Sequence, residues 1–234
     1  MIKRLSVLLL IGAFLLSASA QDCSFFPMIE GATFESTTYT ANGKPTTTTS
    51  TTVSKVSTIS GGLAAQVSSQ IDGKEMEEKV DISYAVKCVN GELQMNLSDI
   101  FSGEAMKEMM GNQGIDIDMK VESDNLIFPS RMDIGQTLPD AKMNMEMKAM
   151  GMEMNFTTLI SQRKVEKQEN LTTPAGTFTC YKMTFLTTTD GAMGISMQFK
   201  TAAWYNDKVG MVRTEEYDQS GTLNSYTELT AFSE

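Results

Sequence analysis

The sequence predicts a mostly β protein, a single antiparallel domain built as a meander of hairpins. Three observations carry this. Apolar and polar residues alternate at period two, Asn-Gly and Asp-Gly dipeptides interrupt the alternation, and helical spacing is scarce. About 214 residues follow an N-terminal leader, a length that one all-β domain commonly reaches. No Pro- or Gly-rich linker and no fixed-period repeat divides them, so residues 21–234 read as one antiparallel β domain.

The leader occupies residues 1–20. Lys3 and Arg4 form a charged start, Leu5 to Leu16 an apolar run, and Ala18-Ser19-Ala20 a small-residue cleavage site that leaves Gln21 as the new terminus. The run is shorter than the roughly 20 apolar residues a bilayer crossing needs, and no later segment approaches that length. Gln21 and Asp22 stand before Cys23 where a lipobox has small residues, so the chain reads as exported without a lipid anchor.

The elements follow in order. Asn42-Gly43, Asp72-Gly73, Asn90-Gly91 and Asp190-Gly191 read as tight turns between strands. Thr46–Thr52 reads as a solvent-exposed strand leading into Val53, Val56 and Ile59, because Thr is a good strand former. Glu75, Glu77, Glu78 and Asp81 form a solvated run. Val80, Ile82, Tyr84, Val86 and Cys88 share one face of a half-buried strand, with Asp81, Ser83, Ala85 and Lys87 on the other. The best helix is Ser98–Met110, where Phe101, Ala105 and Met109 share a face and Gly111 ends it. Asp116-Ile117-Asp118 lacks the glycine and the final Glu of a calcium loop and reads as the polar face of a strand. Pro174-Ala175-Gly176 is a turn by residue chemistry. Ile195, Met197, Phe199, Thr201 and Ala203 repeat the half-buried pattern, and Gly210 marks a bulge or a tight approach between strands.

Charge and composition exclude several functions. The formal charge is −10, and removing Lys3 and Arg4 with the leader makes it −12. Such a surface repels nucleic acid and anionic lipid headgroups. The chain has no histidine, the commonest general base and metal ligand, which excludes Ser/Cys–His catalysis and His-ligated metals. No spacing of carboxylates, Lys or Tyr supports another catalytic set, so a non-enzyme without cofactor is expected. Three cysteines remain: Cys23, Cys88 and Cys180. Export permits one disulfide with one thiol left over. Cys23–Cys88 is favoured because it ties the flexible terminus to a strand, with Cys88 and Cys180 as small buried apolar residues the equal alternative.

The loudest feature is methionine, 19 in all. Met143, Met145 and Met147 alternate, then Met150, Met152 and Met154 alternate across Gly151, so each set stacks three thioethers on one face of a hairpin. Thioethers suit Cu(I), and the six residues are a candidate periplasmic Cu(I) set, although this stretch offers no His or Cys to help. Met also fills irregular cores and adapts to varied apolar ligands. Ser161-Gln162-Arg163-Lys164 and Ser123-Asp124-Asn125 match fragments of the penicillin-recognising enzymes. Their order is reversed and Lys200-Thr201-Ala202 lacks the third motif's glycine, so the match is chance. Sequons at Asn96, Asn155 and Asn170 would matter only in a eukaryotic secretory pathway.

From about Leu171 to Asp218 the chain resembles a family of exported bacterial proteins of unknown function. Thr173-Pro174-Ala175-Gly176-Thr177-Phe178 with Cys180-Tyr181-Lys182 resembles its turn-and-strand motif. Trp204-Tyr205-Asn206-Asp207-Lys208-Val209-Gly210-Met211-Val212-Arg213, then Glu215 and Tyr217-Asp218, resembles its late segment. Gly135-Gln136-Thr137-Leu138-Pro139-Asp140 fits its mid-chain turn. The resemblance implies a strongly curved antiparallel sheet, a half-barrel similar to the LolA/LppX lipoprotein carriers and YmcC-like exported proteins, with one or two short helices. Such relatives often hold an acyl chain in the concave face, a fold-level analogy.

The expectation is therefore an exported binding module, periplasmic or extracellular, for a hydrophobic, lipid-like ligand or an envelope protein partner. Met145, Met152, Met154, Phe156, Phe199, Trp204 and Tyr205 are the expected lining, with plugging of the barrel end the favoured alternative for Trp204 and Tyr205. The alternative is a structural or interaction protein whose core is filled by its own side chains.

Overall fold

A computed structural model describes residues 23–74, 76, 78–101, 117–149, 151–191 and 194–234. Thirteen strands form one sheet in which every neighbouring pair is antiparallel. In chain order they are β1 (Thr33–Thr40), β2 (Pro45–Ile59), β3 (Gly62–Gly73), β4 (Val80–Val89), β5 (Glu92–Asn96), β6 (Ile117–Ser123) and β7 (Asn125–Phe128). Then come β8 (Ala141–Ala149), β9 (Met152–Thr173), β10 (Gly176–Asp190), β11 (Ser196–Asn206), β12 (Gly210–Tyr217) and β13 (Leu223–Ser233). One short helix, α1 (Leu97–Ile100), follows β5.

The spatial order is β6-β8-β9-β10-β11-β12-β13-β1-β2-β3-β4-β5-β7. The outermost strands, β6 and β7, are joined through Asp124 alone, so the two edges of the sheet must meet. The result is a barrel that is nearly closed, with one seam. Polar groups tie the seam. The Asp124 amide donates to the Lys142 carbonyl at 2.8 Å, and the Lys142 amide donates to the Asp124 carboxylate at 3.1 Å. Asn96 caps α1 by accepting from the Ser98 amide at 2.9 Å, and it also accepts from the Ser123 hydroxyl of β6 at 3.0 Å.

Alternation along the strands builds the core. Val53, Val67 and Val86 from β2 to β4 are fully buried with Val165 and Met183 from β9 and β10. A bulge on β9, with Gln162 at φ 54°, shifts the alternation so that Arg163 and Val165 are buried three and five residues after Ile160. One end of the barrel is plugged by irregular segments. Residues 129–140 bring Met132 and Leu138 into the core and bond β9 through the Leu138 amide to the Arg163 carbonyl at 2.9 Å. The N-terminal segment brings Phe25 and Phe26, and the Phe25 amide donates to the Asp207 carbonyl at 2.8 Å. Here Gly210 makes a close approach, to the irregular N-terminal segment rather than to another strand. Its φ is +83°, and a Cβ would stand 2.7 Å from the Phe25 carbonyl oxygen.

Several local expectations change. Asn90-Gly91 is a two-residue hairpin turn with φ 53° and 82°, the geometry this dipeptide favours. Asn42-Gly43 sits in a four-residue turn closed by the Thr40 amide on the Lys44 carbonyl. Asp72-Gly73 instead ends β3, where Asp72 pairs with Lys79 across a longer connection, and Asp190-Gly191 opens another closed by Gly191 on the Ile195 carbonyl. The Thr run is a strand, but it is not wholly exposed. Thr51 is buried, and its hydroxyl bonds Ser69 at 2.8 Å. Ile195 and Met197 are exposed because the core ends before the tip of β11; burial begins at Thr201. Of the expected helix 98–110, α1 covers the start, and residues 102–110 lie outside the described residues, as do the leader and Asp116.

Candidate functional site

The plugged end leaves a different surface at the opposite rim. Residues opposite one another in neighbouring strands share a face, so register defines it. On β8, Met143 lies between Ser123 and Thr158, Met145 between Val121 and Phe156, and Met147 between Met119 and Met154. Ala149 faces Met152 nearest the tip. The Thr158 row continues through Thr189 to Met197, and the Ile160 row through Thr187 to Phe199. Two and four residues beyond Phe199 on β11 are the buried Thr201 and Ala203. The methionine face is therefore the rimward extension of the core face.

Burial fades along it. Met143 is buried in a cluster with Leu97 and Ala141, against which Ile100, Phe101, Val121 and Met145 pack, so α1 covers this part. Met147, Met154 and Phe156 are half-buried, and Met152 is 59% exposed. Met119, Met147, Met152, Met154 and Phe156 belong to none of the three buried clusters formed by the described residues. The Phe156 ring occupies the space beside Gly191, where a Cβ would stand 3.1 Å from it. Farther round the rim, Met197 and Phe199 border an open depression whose other side is Asp218, Gln219 and Ser220. Hydrogen bonds from Ser220 and Thr222 hold the Asp218 carboxyl below its ordinary value, which makes that residue a turn-former.

The structure thus brings Met145, Met152, Met154, Phe156 and Phe199 onto one face. It does not bring Trp204 there, because five residues along an unbulged strand reverse the side. Trp204 lies in a second buried cluster with Cys180, Ala202, Val212 and Leu229. Its indole N–H donates to Glu169 at 2.9 Å, and the Lys182 ammonium stands 4.5 Å over its ring. Lys167 first, then this indole, hold the Glu169 carboxyl below its ordinary value. Nearby, Arg213 pairs with Glu215 at 2.8 Å and with Glu228, and lies over the Tyr226 ring at 4.6 Å. Tyr217 donates to Glu215 at 2.5 Å, which with burial pushes its phenol up to about 12. Every charge in this set has a partner, so the set reads as structural.

Tyr205 is on the core face but near the plugged end, with its ring 5.0 Å from Phe128 and its phenol pushed up to about 12 by burial. Beside it is a residue that alternation alone would have put outside. Arg163 is 1% exposed, donates to the carbonyls of Pro139 at 2.8 Å and Ile127 at 2.9 Å, and stacks over Phe128 at 5.0 Å. Burial pushes its guanidinium down, and its Nε has no acceptor. It ties both β7, through Ile127, and the segment 129–140, through Pro139, to β9.

Cys23 and Cys88 form the disulfide, which anchors the N-terminal plug to β4. Cys180 is a buried thiol pushed up to about 11, chiefly by burial, and so stays protonated. Among the described residues no three His, Cys, Asp or Glu side chains cluster as metal ligands. Of the six-methionine set, Met143, Met145, Met147, Met152 and Met154 share the face, and Met150 lies outside the described residues. Among the described residues no helix is long and apolar enough to cross a membrane.

The fold is a nearly closed antiparallel barrel, plugged at one end and apolar at the other rim. A solved structure of a protein inferred to be exported, with a YmcC-like fold, from Bacteroides fragilis is 21% identical. It superposes with a TM-score of 0.71 over 91% of this chain and 100% of that one. An inferred lipoprotein from Parabacteroides distasonis is 26% identical, with a TM-score of 0.69 over the same shares. The sequence profile of the DUF3108-like family matches residues 29–229, and the chain belongs to that family. No protein of curated function matches it.

Proposed function

We propose that this chain is an exported, non-catalytic binding module that holds a hydrophobic or amphiphilic, lipid-like ligand against the rim wall of Met119, Met145, Met147, Met152, Met154 and Phe156. One observation carries the reading: the core face continues as an apolar wall past the last buried cluster. Apolar surface left uncovered at the mouth of a barrel is where small ligands are held. Buried side chains cluster in the plugged half, which favours binding at the rim. The disulfide suits an oxidising compartment outside the cytoplasm. With its sulphur bonded to Cys88, Cys23 offers no thiol for acylation, which supports an unlipidated protein in the periplasm or beyond.

The test is displacement of a fluorescent polyene fatty acid, cis-parinaric acid, from the exported protein. Wild type should bind it, and Met154→Gln and Phe156→Asp should lose binding at an unchanged melting temperature, because both side chains sit outside the buried clusters. Equal binding by all three proteins would overturn the wall as the site, and an envelope protein partner would then be sought.

A further inference from the structure

Met119, Met147 and Met154 stand in one row across three adjacent strands, each directly opposite the next. We propose that this row is a Cu(I) site in which the three thioether sulphurs are the ligands. Directly paired residues have Cβ atoms about 4.5–5.5 Å apart, and the flexible methionine side chain has the rotors to bring neighbouring sulphurs around one ion. All three are half-buried, so the ion is reachable without unpacking the core, and none belongs to a buried cluster. The adjoining rows add Met145, Met152, Val121 and Phe156. The site is therefore soft and largely apolar, which selects Cu(I) over hard cations.

The charged residues of the same strands do not compete. Asp118, Lys120, Glu146, Lys148 and Glu153 alternate onto the other side, and Lys120–Glu122 and Lys148–Glu153 pair there among themselves. The ligand set differs from the two triplets read along the chain. Met143 belongs to the cluster under α1, Met145 packs on it, and β6 supplies Met119, which has no place in either triplet.

The inference stands apart from the lipid reading, and the two separate experimentally because leucine keeps the apolar volume of methionine but has no sulphur. The exported protein is titrated without oxygen against the Cu(I)–bicinchoninate complex, and the loaded protein is examined by X-ray absorption. Wild type should withdraw about one Cu(I) per chain and show a sulphur-only shell. The M119L/M147L/M154L variant should take up none while keeping the wild-type circular dichroism spectrum and urea midpoint, a signal that it is folded. M147L alone, at the centre of the row, should weaken uptake, whereas core M183L and C180S should leave it unchanged. No uptake by wild type, uptake undiminished in the triple variant, or a nitrogen or oxygen shell would each overturn the proposal.

Discussion

Removing the Cys23–Cys88 disulfide should destabilise the barrel by about 4 kcal/mol, mostly through the unfolded chain. The bond closes a loop of sequence separation 65. In the chain-entropy account, such a cross-link withholds roughly 14–15 cal/mol/K from the unfolded ensemble, or about 4 kcal/mol at room temperature. The native side loses little, because the plug keeps other attachments: the Phe25 amide on Asp207, paired bonds between residues 31–32 and Val53, and the buried rings of Phe25 and Phe26. For a domain of this size, that corresponds to a fall in melting temperature on the order of 10 °C. The assay is urea unfolding followed by the single tryptophan, Trp204, for wild type and C23A/C88A. Alanine avoids a buried hydroxyl at Cys88, which has no exposure. The urea midpoint should fall and the slope should rise, because an unfolded chain without the loop exposes more surface. A loss under about 1 kcal/mol would refute the reasoning, since the entropy term would then be absent.

Two further outcomes follow from the polar anchors. Arg163→Ala strips the donors from two carbonyls and opens a cavity under Phe128, and should cost about 3–5 kcal/mol in urea unfolding. Hydrogen exchange should rise first in residues 129–140. A variant as stable as wild type would show that the guanidinium's burial cost cancels its bonds. Glu169 is held below its ordinary value of 4.5 in the folded chain, so its stabilisation is full above that pH and is lost as pH falls through the lower folded value. Trp204 fluorescence should titrate with a midpoint under 4.5 in wild type and stay flat in Glu169→Gln; a midpoint at or above 4.5 would refute the hydrogen-bonded pair.

Much of the fold was legible because period-two alternation and Asn-Gly chemistry are local. Val80 to Cys88 and the Asn90-Gly91 turn needed nothing beyond their own residues. The Ile195 and Met197 expectation failed for a different reason. Alternation fixes sides, but how far the core reaches along a strand is decided by the segments that plug it. Arg163 was hidden because the bulge at Gln162 breaks the parity by which a charged residue is placed outside. The Ser60-Gly61 turn between β2 and β3 carries its own local signal, a Ser-Gly-Gly run. For the site, each methionine triplet was legible as a face. Met119's place beside them depends on the pairing of β6 with β8, which no local pattern encodes. Trp204 looked like a partner to Phe199 by residue type, and the odd spacing between them should have separated the two.

The strand order also has a consequence for how the chain is made. The first and last strands pair in the middle of the sheet, with Phe34 opposite Phe232, while the two free borders are neighbours in mid-sequence. A chain threaded outward from its N-terminus cannot complete this sheet until its final residues emerge. β1 must wait with one side unmatched for nearly the whole passage, a topology that folds slowly and favours a holding factor meanwhile. The same arrangement makes Asp124 the natural place to cut. A circular permutant opened there, with its old ends linked, would join the last two strands to meet into one hairpin and should refold faster than the parent.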